Sequence, residues 1–353
     1  MNRHEIALKK LAEGTVIPAT PLALNENRIF NEEGQRLLMK YYLNSGAGGI
    51  ATAVHTTQFE IRYPEYNLYE PVLKIVSEEI DKFEQEHNTV VIKVAGVCGP
   101  VEQALGEVEI AKKYGYDAVL LSVGGLDSLT EDELIERTKL VAKEIPVIGF
   151  YLQPSAGGRL LSYDYWQKLC AVDNVVAIKS APFNRYQTMD VVRAVAMSDR
   201  CDDITLYTGN DDNIVVDLLT KYKFTKNGKT VVKSFEGGLL GHWCVWTKKV
   251  VEMFAEIKEA KKGDMIPAKL LTLAAEVTDA NAVVFDAANA YAGNRAGIHE
   301  ILHRQGIMQN IYCLDSKEKL SVGQSEELDR IYEMYPHLTD DAFVAENIAD
   351  WMK

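Results

Sequence analysis

Pro146-Val147-Ile148-Gly149-Phe150-Tyr151, a loop rich in Gly and Pro, the helical pattern Tyr163–Leu169 and then Val175-Val176-Ala177-Ile178-Lys179 read in order as strand, helix, strand. Neither apolar run alternates with polar residues, so each is expected to be buried on both faces, as the strands of a parallel sheet are. The same unit repeats outward in both directions. Apolar runs at Val16–Ala19, Gly49–Val54, Val90–Ala95 and Ala118–Val123 precede it, and Ile204–Tyr207 and Gly238–Val245 follow it. Helical periodicity separates them at Glu32–Asn44, Leu68–His87, Val101–Tyr114, Glu131–Lys143 and Asn213–Lys221. Thr130 and Ser162 stand where helix N-caps are expected, just before the runs that open at Glu131 and Tyr163.

Eight strands alternating with helices over about 250 residues fit an α/β fold of the (β/α)8 TIM-barrel type better than an open doubly wound sheet, the alternative architecture. After the eighth run the pattern turns helical, at Lys248–Lys262, Ala268–Ala292 and Ala296–Gln305, and the tail to Lys353 carries no strand pattern. The predicted organisation is a barrel over residues 14–255 and a helical C-terminal extension over 256–353 packed on it. In such a barrel the loops after the strands build the active site, so residues there carry the functional weight.

Composition narrows the class of partner. With 38 Lys and Arg against 51 Asp and Glu, the net charge of −13 argues against nucleic-acid and membrane-surface binding. The start MNRHEIALKKLAEG lacks the apolar core of a signal peptide, and no run reaches the roughly 20 apolar residues of a membrane span, so the chain is expected in the cytosol. Five dispersed cysteines without a C-x-x-C pair read as reduced, small hydrophobes.

Lys179 is an unusual residue with which to close an apolar strand. Delivered to the catalytic end of a barrel and desolvated there, an amine loses its preference for the ammonium form and becomes a nucleophile toward carbonyls. The alternative is a strand-end lysine reaching solvent. Tyr151 closes the preceding strand and is placed to shuttle protons, or else is a core aromatic with a bonded hydroxyl. Thr56 and Thr57, after the second strand, offer hydroxyls and backbone N–H groups to a carboxylate, or cap a following helix.

These residues, together with Ala19-Thr20-Pro21, the Pro154 and Gly157 loop, Ile178-Lys179 and Gly209-Asn210-Asp211, resemble the dihydrodipicolinate synthase and N-acetylneuraminate lyase family of class I aldolases over roughly residues 14–254. The resemblance implies that Lys179 forms a Schiff base with pyruvate or a related 2-oxo acid and that Tyr151 transfers protons. It further implies that Thr56, Thr57, Gly209 and Leu239 bind substrate. C–C cleavage or condensation would follow without metal or organic cofactor, in a homodimer or homotetramer. Dehydration through the same imine is the alternative reaction. Two departures concern the second substrate: Gly124-Gly125-Leu126-Asp127 stands where the family's synthases carry a tandem tyrosine, and Ala156 stands where they carry an arginine, with Arg159 displaced by three positions. His55, Gln58, Ser180, Asn184, Asn210, Asp211, His242 and Trp243 are further polar or aromatic candidates on strand-end loops.

A competing motif lies in the extension. His299-Glu300-Ile301-Leu302-His303 satisfies the H-E-x-x-H pattern, which on a helix sets two imidazoles on one face to bind zinc, with the glutamate activating water. A zinc hydrolase and a non-catalytic oxo-acid sensor are therefore kept as readings from other classes.

Overall fold

The structure is a computed structural model that describes all residues, 1–353. Its main sheet contains β1 (Val16–Pro18), β2 (Gly49–Thr52), β3 (Ile92–Val97), β4 (Ala118–Leu121), β5 (Val147–Leu152), β6 (Val175–Ala181) and β7 (Thr205–Thr208). A separate hairpin, β8 (Tyr222–Lys226) and β9 (Lys229–Lys233), intervenes before the eighth barrel strand, β10 (Phe235–Leu240). The order β1-β10-β7-β6-β5-β4-β3-β2 is that of a parallel barrel, and its ends meet: Ala19 and Ala51 form a parallel bridge and the Thr20 N–H donates to the Ala51 carbonyl at 2.8 Å. The fold is a (β/α)8 barrel continued by a helical C-terminal extension. No helix is long and apolar enough to cross a membrane.

The chain forms two compact units, Met1–Thr15 with Ile92–Leu239, and Val16–Val91 with Leu240–Lys353. In the first, β3 to β7 are buried on both faces, which accounts for their unbroken apolar runs. Thr130 and Ser162 cap their helices as expected, Thr130 in a capping box with Glu133. An opening helix, Arg3–Glu13, was not among the expected elements. Asn2 caps it, and Arg3 and His4 both reach the buried Asp117, whose other oxygen accepts the Lys93 N–H at 2.9 Å.

The eighth strand corrects the sequence reading, which placed it at Gly238–Val245. Strand geometry ends at Leu240, and His242–Cys244 is a buried 3-10 turn, so an apolar run that looked like one strand is a strand followed by a turn. The missing start of that strand was hidden by the hairpin. Its signal was present: Asn227 and Gly228 take positive φ of 50° and 75° between paired strands, the conformation of a two-residue type I′ loop. Five lysines between 221 and 233 line this short ribbon, a charge pattern that discourages pairing of its open edges.

In the second unit, Glu32–Ser45, Tyr69–His87 and Thr247–Ala260 are followed by Lys269–Val284, Asn294–Arg304, Gln324–Met334 and Asp341–Trp351. The expected helix Ala268–Ala292 stops at Val284, since Asp286 and Ala290 adopt left-handed backbone around a 3-10 turn. The buried Asp340 ties the tail down, accepting from Tyr41 Oη at 2.8 Å, the Lys248 N–H at 3.0 Å and Gln305 Nε2 at 2.7 Å.

Candidate active site

β6 delivers Lys179 to the C-terminal end of the strand set, where its side chain is only 7% exposed. In register with it are Phe150 on β5 and Tyr207 on β7. Side chains paired across a parallel ladder share a face, and the contacts agree: Lys179 Nζ lies 4.6 Å from the centre of the Phe150 ring. Gly209, just past β7, belongs to the same wall. A Cβ built on it would stand 2.5 Å from Lys179 Cε and 2.7 Å from the Ala181 Cβ, so the backbone itself packs on the lysine stem. Leu239, next to Gly238 that pairs with Thr208, alternates onto this face as well and is fully buried.

Tyr151, the expected proton carrier, takes the other strand face from Lys179. It pairs with Ser180, and its neighbour two residues back, Gly149, faces Leu169 of the helix Tyr163–Cys170. The Tyr151 ring accordingly packs against Trp166 of that helix, tilted by 36° with centroids 5.0 Å apart, and its hydroxyl is 3.5 Å from the Leu161 N–H. The reason is parity: a strand exposes alternate residues to each face, and Phe150 takes the inward position. Burial raises the Tyr151 pKa above its ordinary value. Tyr151→Phe is therefore expected to keep more than about a tenth of wild-type turnover, against the 10²–10⁴-fold loss typical of a positioned acid or base. Steady-state rates of the folded variant decide it.

The threonine pair divides. Thr57 Oγ1 donates to the Thr20 carbonyl at 2.7 Å and accepts the Val54 N–H at 3.3 Å, and its own N–H goes to the Val54 carbonyl. Thr57 thus builds the loop. The Thr56 hydroxyl instead faces Gly241, 3.4 Å from where a Cβ would stand there. Several lesser candidates are also committed to structure. Gln58 accepts the Leu314 N–H at 2.6 Å, Asn184 caps the helix Arg185–Met197, and Arg159 Nη1 is held by the Leu126 and Leu129 carbonyls at 3.1 and 2.8 Å. Trp243 is core, and the His242 imidazole is buried and pushed down to about 4 by desolvation.

The H-E-x-x-H segment does lie on a helix, Asn294–Arg304, but its groups are used otherwise. His299 Nδ1 sits 3.3 Å from the Ile311 carbonyl, His303 Nδ1 sits 3.0 Å from the Met308 carbonyl, and Glu300 binds Arg304 at 2.8 Å. No three His, Cys, Asp or Glu side chains are gathered so as to hold a metal ion. Desolvation pushes the fully buried His299 down to about 4. A histidine held neutral in the fold stabilises it fully above its unfolded pKa of about 6.5, and that stability is lost as pH falls toward 4. Each such group adds a slope of about 1.4 kcal/mol per pH unit in that window. Thermal midpoints from pH 7 to 5 should fall for the wild type and fall less steeply for His299→Gln.

The model of the dihydrodipicolinate synthetase family matches residues 12–223. The chain belongs to that family. A 4-hydroxy-tetrahydrodipicolinate synthase of Syntrophobacter fumaroxidans is 27% identical over 191 residues, 54% of this chain and 60% of the relative. One from Clostridium novyi is 34% identical over 115 residues, 32% and 37% of the two chains. The chain thus spans less than two thirds of the length of the curated relatives it matches. Among solved structures, dihydrodipicolinate synthase from Oceanobacillus iheyensis superposes with a TM-score of 0.74 at 17% identity, covering 95% of this chain and 99% of the other. N-acetylneuraminate lyase from Fusobacterium nucleatum gives 0.70 at 16% identity, covering 91% and 98%. At these identities the structural likeness is one of fold.

Proposed function

We propose that this chain is a Schiff-base-forming lyase or aldolase that acts on pyruvate or a related 2-oxo acid through Lys179. The observation that carries the reading is a lysine 7% exposed at the end of a barrel strand, with an aromatic ring on one side and glycine backbone on the other. An amine so enclosed has little water to compete with a carbonyl.

The neutral amine attacks C2 of the oxo acid, the resulting carbinolamine loses water, and a protonated imine forms. When the C3–C4 bond of a 4-hydroxy substrate breaks, its electron pair moves into the iminium and leaves an enamine; the 4-hydroxyl gives up its proton to water, so the distal fragment departs as an aldehyde, and the later protonation at C3 restores the balance. Protonation at C3 and hydrolysis return the amine and release pyruvate; condensation runs the same steps backward. Lys179 itself supplies the electron sink.

The second carbonyl compound is expected to differ from that of the synthases among the relatives. The segment Gly124–Asp127 carries no phenol, Ala156 carries no guanidinium, and Arg159 is tied to backbone carbonyls. The test is intact-mass spectrometry after borohydride reduction of the protein with a panel of 2-oxo acids. One reduced adduct per chain with pyruvate or a close analogue is expected; no adduct with any member of the panel sinks the reading.

A further inference from the structure

We propose that Asp217 is a positioning residue for Lys179, acting through Gly209; the proposal rests on the imine reading of Lys179. Asp217 lies on the short helix Ile214–Leu219 that follows β7 and is fully buried. Its carboxylate accepts four hydrogen bonds. Oδ1 takes Arg185 Nη1 at 2.5 Å and Asn213 Nδ2 at 3.0 Å, and Oδ2 takes Thr208 Oγ1 and Asn210 Nδ2, each at 2.8 Å.

The two donors on Oδ2 are the residues on either side of Gly209. One carboxylate oxygen therefore grips both flanks of the glycine that presses on the lysine stem. The turn is tied on its other side too: the Gly209 N–H donates to the Ser180 carbonyl at 2.8 Å, and Asn210 Oδ1 accepts the Phe183 N–H at 3.1 Å, so the segments after β6 and β7 are locked together around Lys179. A built Cβ on residue 209 would meet Lys179 at Cε and Cγ, at 2.5 and 3.1 Å, which shows how closely the amine's path follows this turn. Asparagine at 217 keeps the shape but offers one acceptor oxygen; the Arg185 guanidinium holds that oxygen, so N–H groups face the donors of Thr208 and Asn210 and the grip on those residues is lost.

Helix anchoring alone would account for Arg185 and Asn213, whereas the pair of bonds on Oδ2 has no need to flank Gly209 for that purpose. The two roles make different predictions for the rate of imine formation. The experiment uses the full chain as wild type, Asp217→Asn, Thr208→Val and Arg185→Gln. Pyruvate is the probe, and borohydride-trapped adduct is followed by intact mass across pyruvate concentrations, with thermal midpoints measured alongside.

The expected result for Asp217→Asn is a maximal trapping rate lower by about 10- to 100-fold, the scale of a misplaced reacting group, with the half-saturating pyruvate concentration within about threefold of wild type. Thr208→Val should move in the same direction, and it decides the matter if Asp217→Asn does not fold. Arg185→Gln leaves both Oδ2 bonds in place and should trap at close to the wild-type rate even where it lowers the thermal midpoint. Wild-type maximal rates in Asp217→Asn and Thr208→Val, or losses in all three variants that track the thermal midpoint, overturn the positioning role. Absence of any adduct in the wild type overturns instead the imine reading on which it rests.

Discussion

Lys179→Ala is expected to abolish the borohydride-stable adduct and to reduce turnover by about 10⁴-fold or more, the scale on which loss of a covalent nucleophile is felt. A second buried lysine serves as an internal control. Lys93 is 2% exposed, but it is the second residue of β3 and so sits at the opposite end of the strand set from the loops that build barrel active sites. Lys179 is the fifth of seven residues in β6, toward the catalytic end. Burial alone does not distinguish the two amines; position along the strand does. Lys93→Met should therefore keep the adduct if it folds, whereas Lys179→Ala should lose it. Peptide mapping of the reduced wild-type protein gives the same answer without mutation. An adduct on Lys93, or one that persists in Lys179→Ala, removes Lys179 from the chemistry.

Gly209→Ala carries the second largest expected effect, and for a steric reason. Its new methyl would lie 2.5 Å from Lys179 Cε and 2.7 Å from the Ala181 Cβ, both far inside van der Waals contact. The lysine end is flexible and can swing away, whereas Ala181 sits on a buried strand and yields little. The fold is expected to lose about 1–3 kcal/mol from overpacking, which leaves a folded protein at moderate temperature. The chemistry should suffer more, since displacement of a reacting group by about 1 Å costs roughly 10²-fold. Trapping rate and thermal midpoint measured on one sample separate the two effects. A variant that traps pyruvate at the wild-type rate would show that the amine does not depend on this wall.

Local sequence pattern was sufficient to determine the alternation of strand and helix, the caps at Thr130 and Ser162, and the arrival of Lys179 at the end of β6. Each depends on neighbours a few residues apart: apolar continuity for a doubly buried strand, an acceptor side chain one position before a helix, a charged residue after an apolar run. The Asn227-Gly228 turn was equally local and equally legible, and overlooking it displaced the eighth strand.

What only the tertiary structure decided was direction and partnership. Tyr151 closed an apolar run just as Lys179 did, yet pairing with Ser180 turned it toward Trp166, and Phe150 took the place beside the amine. Thr57 carried the same hydroxyl as Thr56 but spent it on the Thr20 carbonyl, a group 37 residues away in the chain. The histidines at 299 and 303 had zinc-site spacing, and packing gave them backbone carbonyls instead. Asp217 had no motif at all; four donors from β7, its following turn and the Arg185 helix made it a candidate. The physical reason is common to all of these. Periodicity specifies which residues are buried, but the face a side chain takes and the group that satisfies it depend on strand register and on atoms brought together from distant parts of the chain.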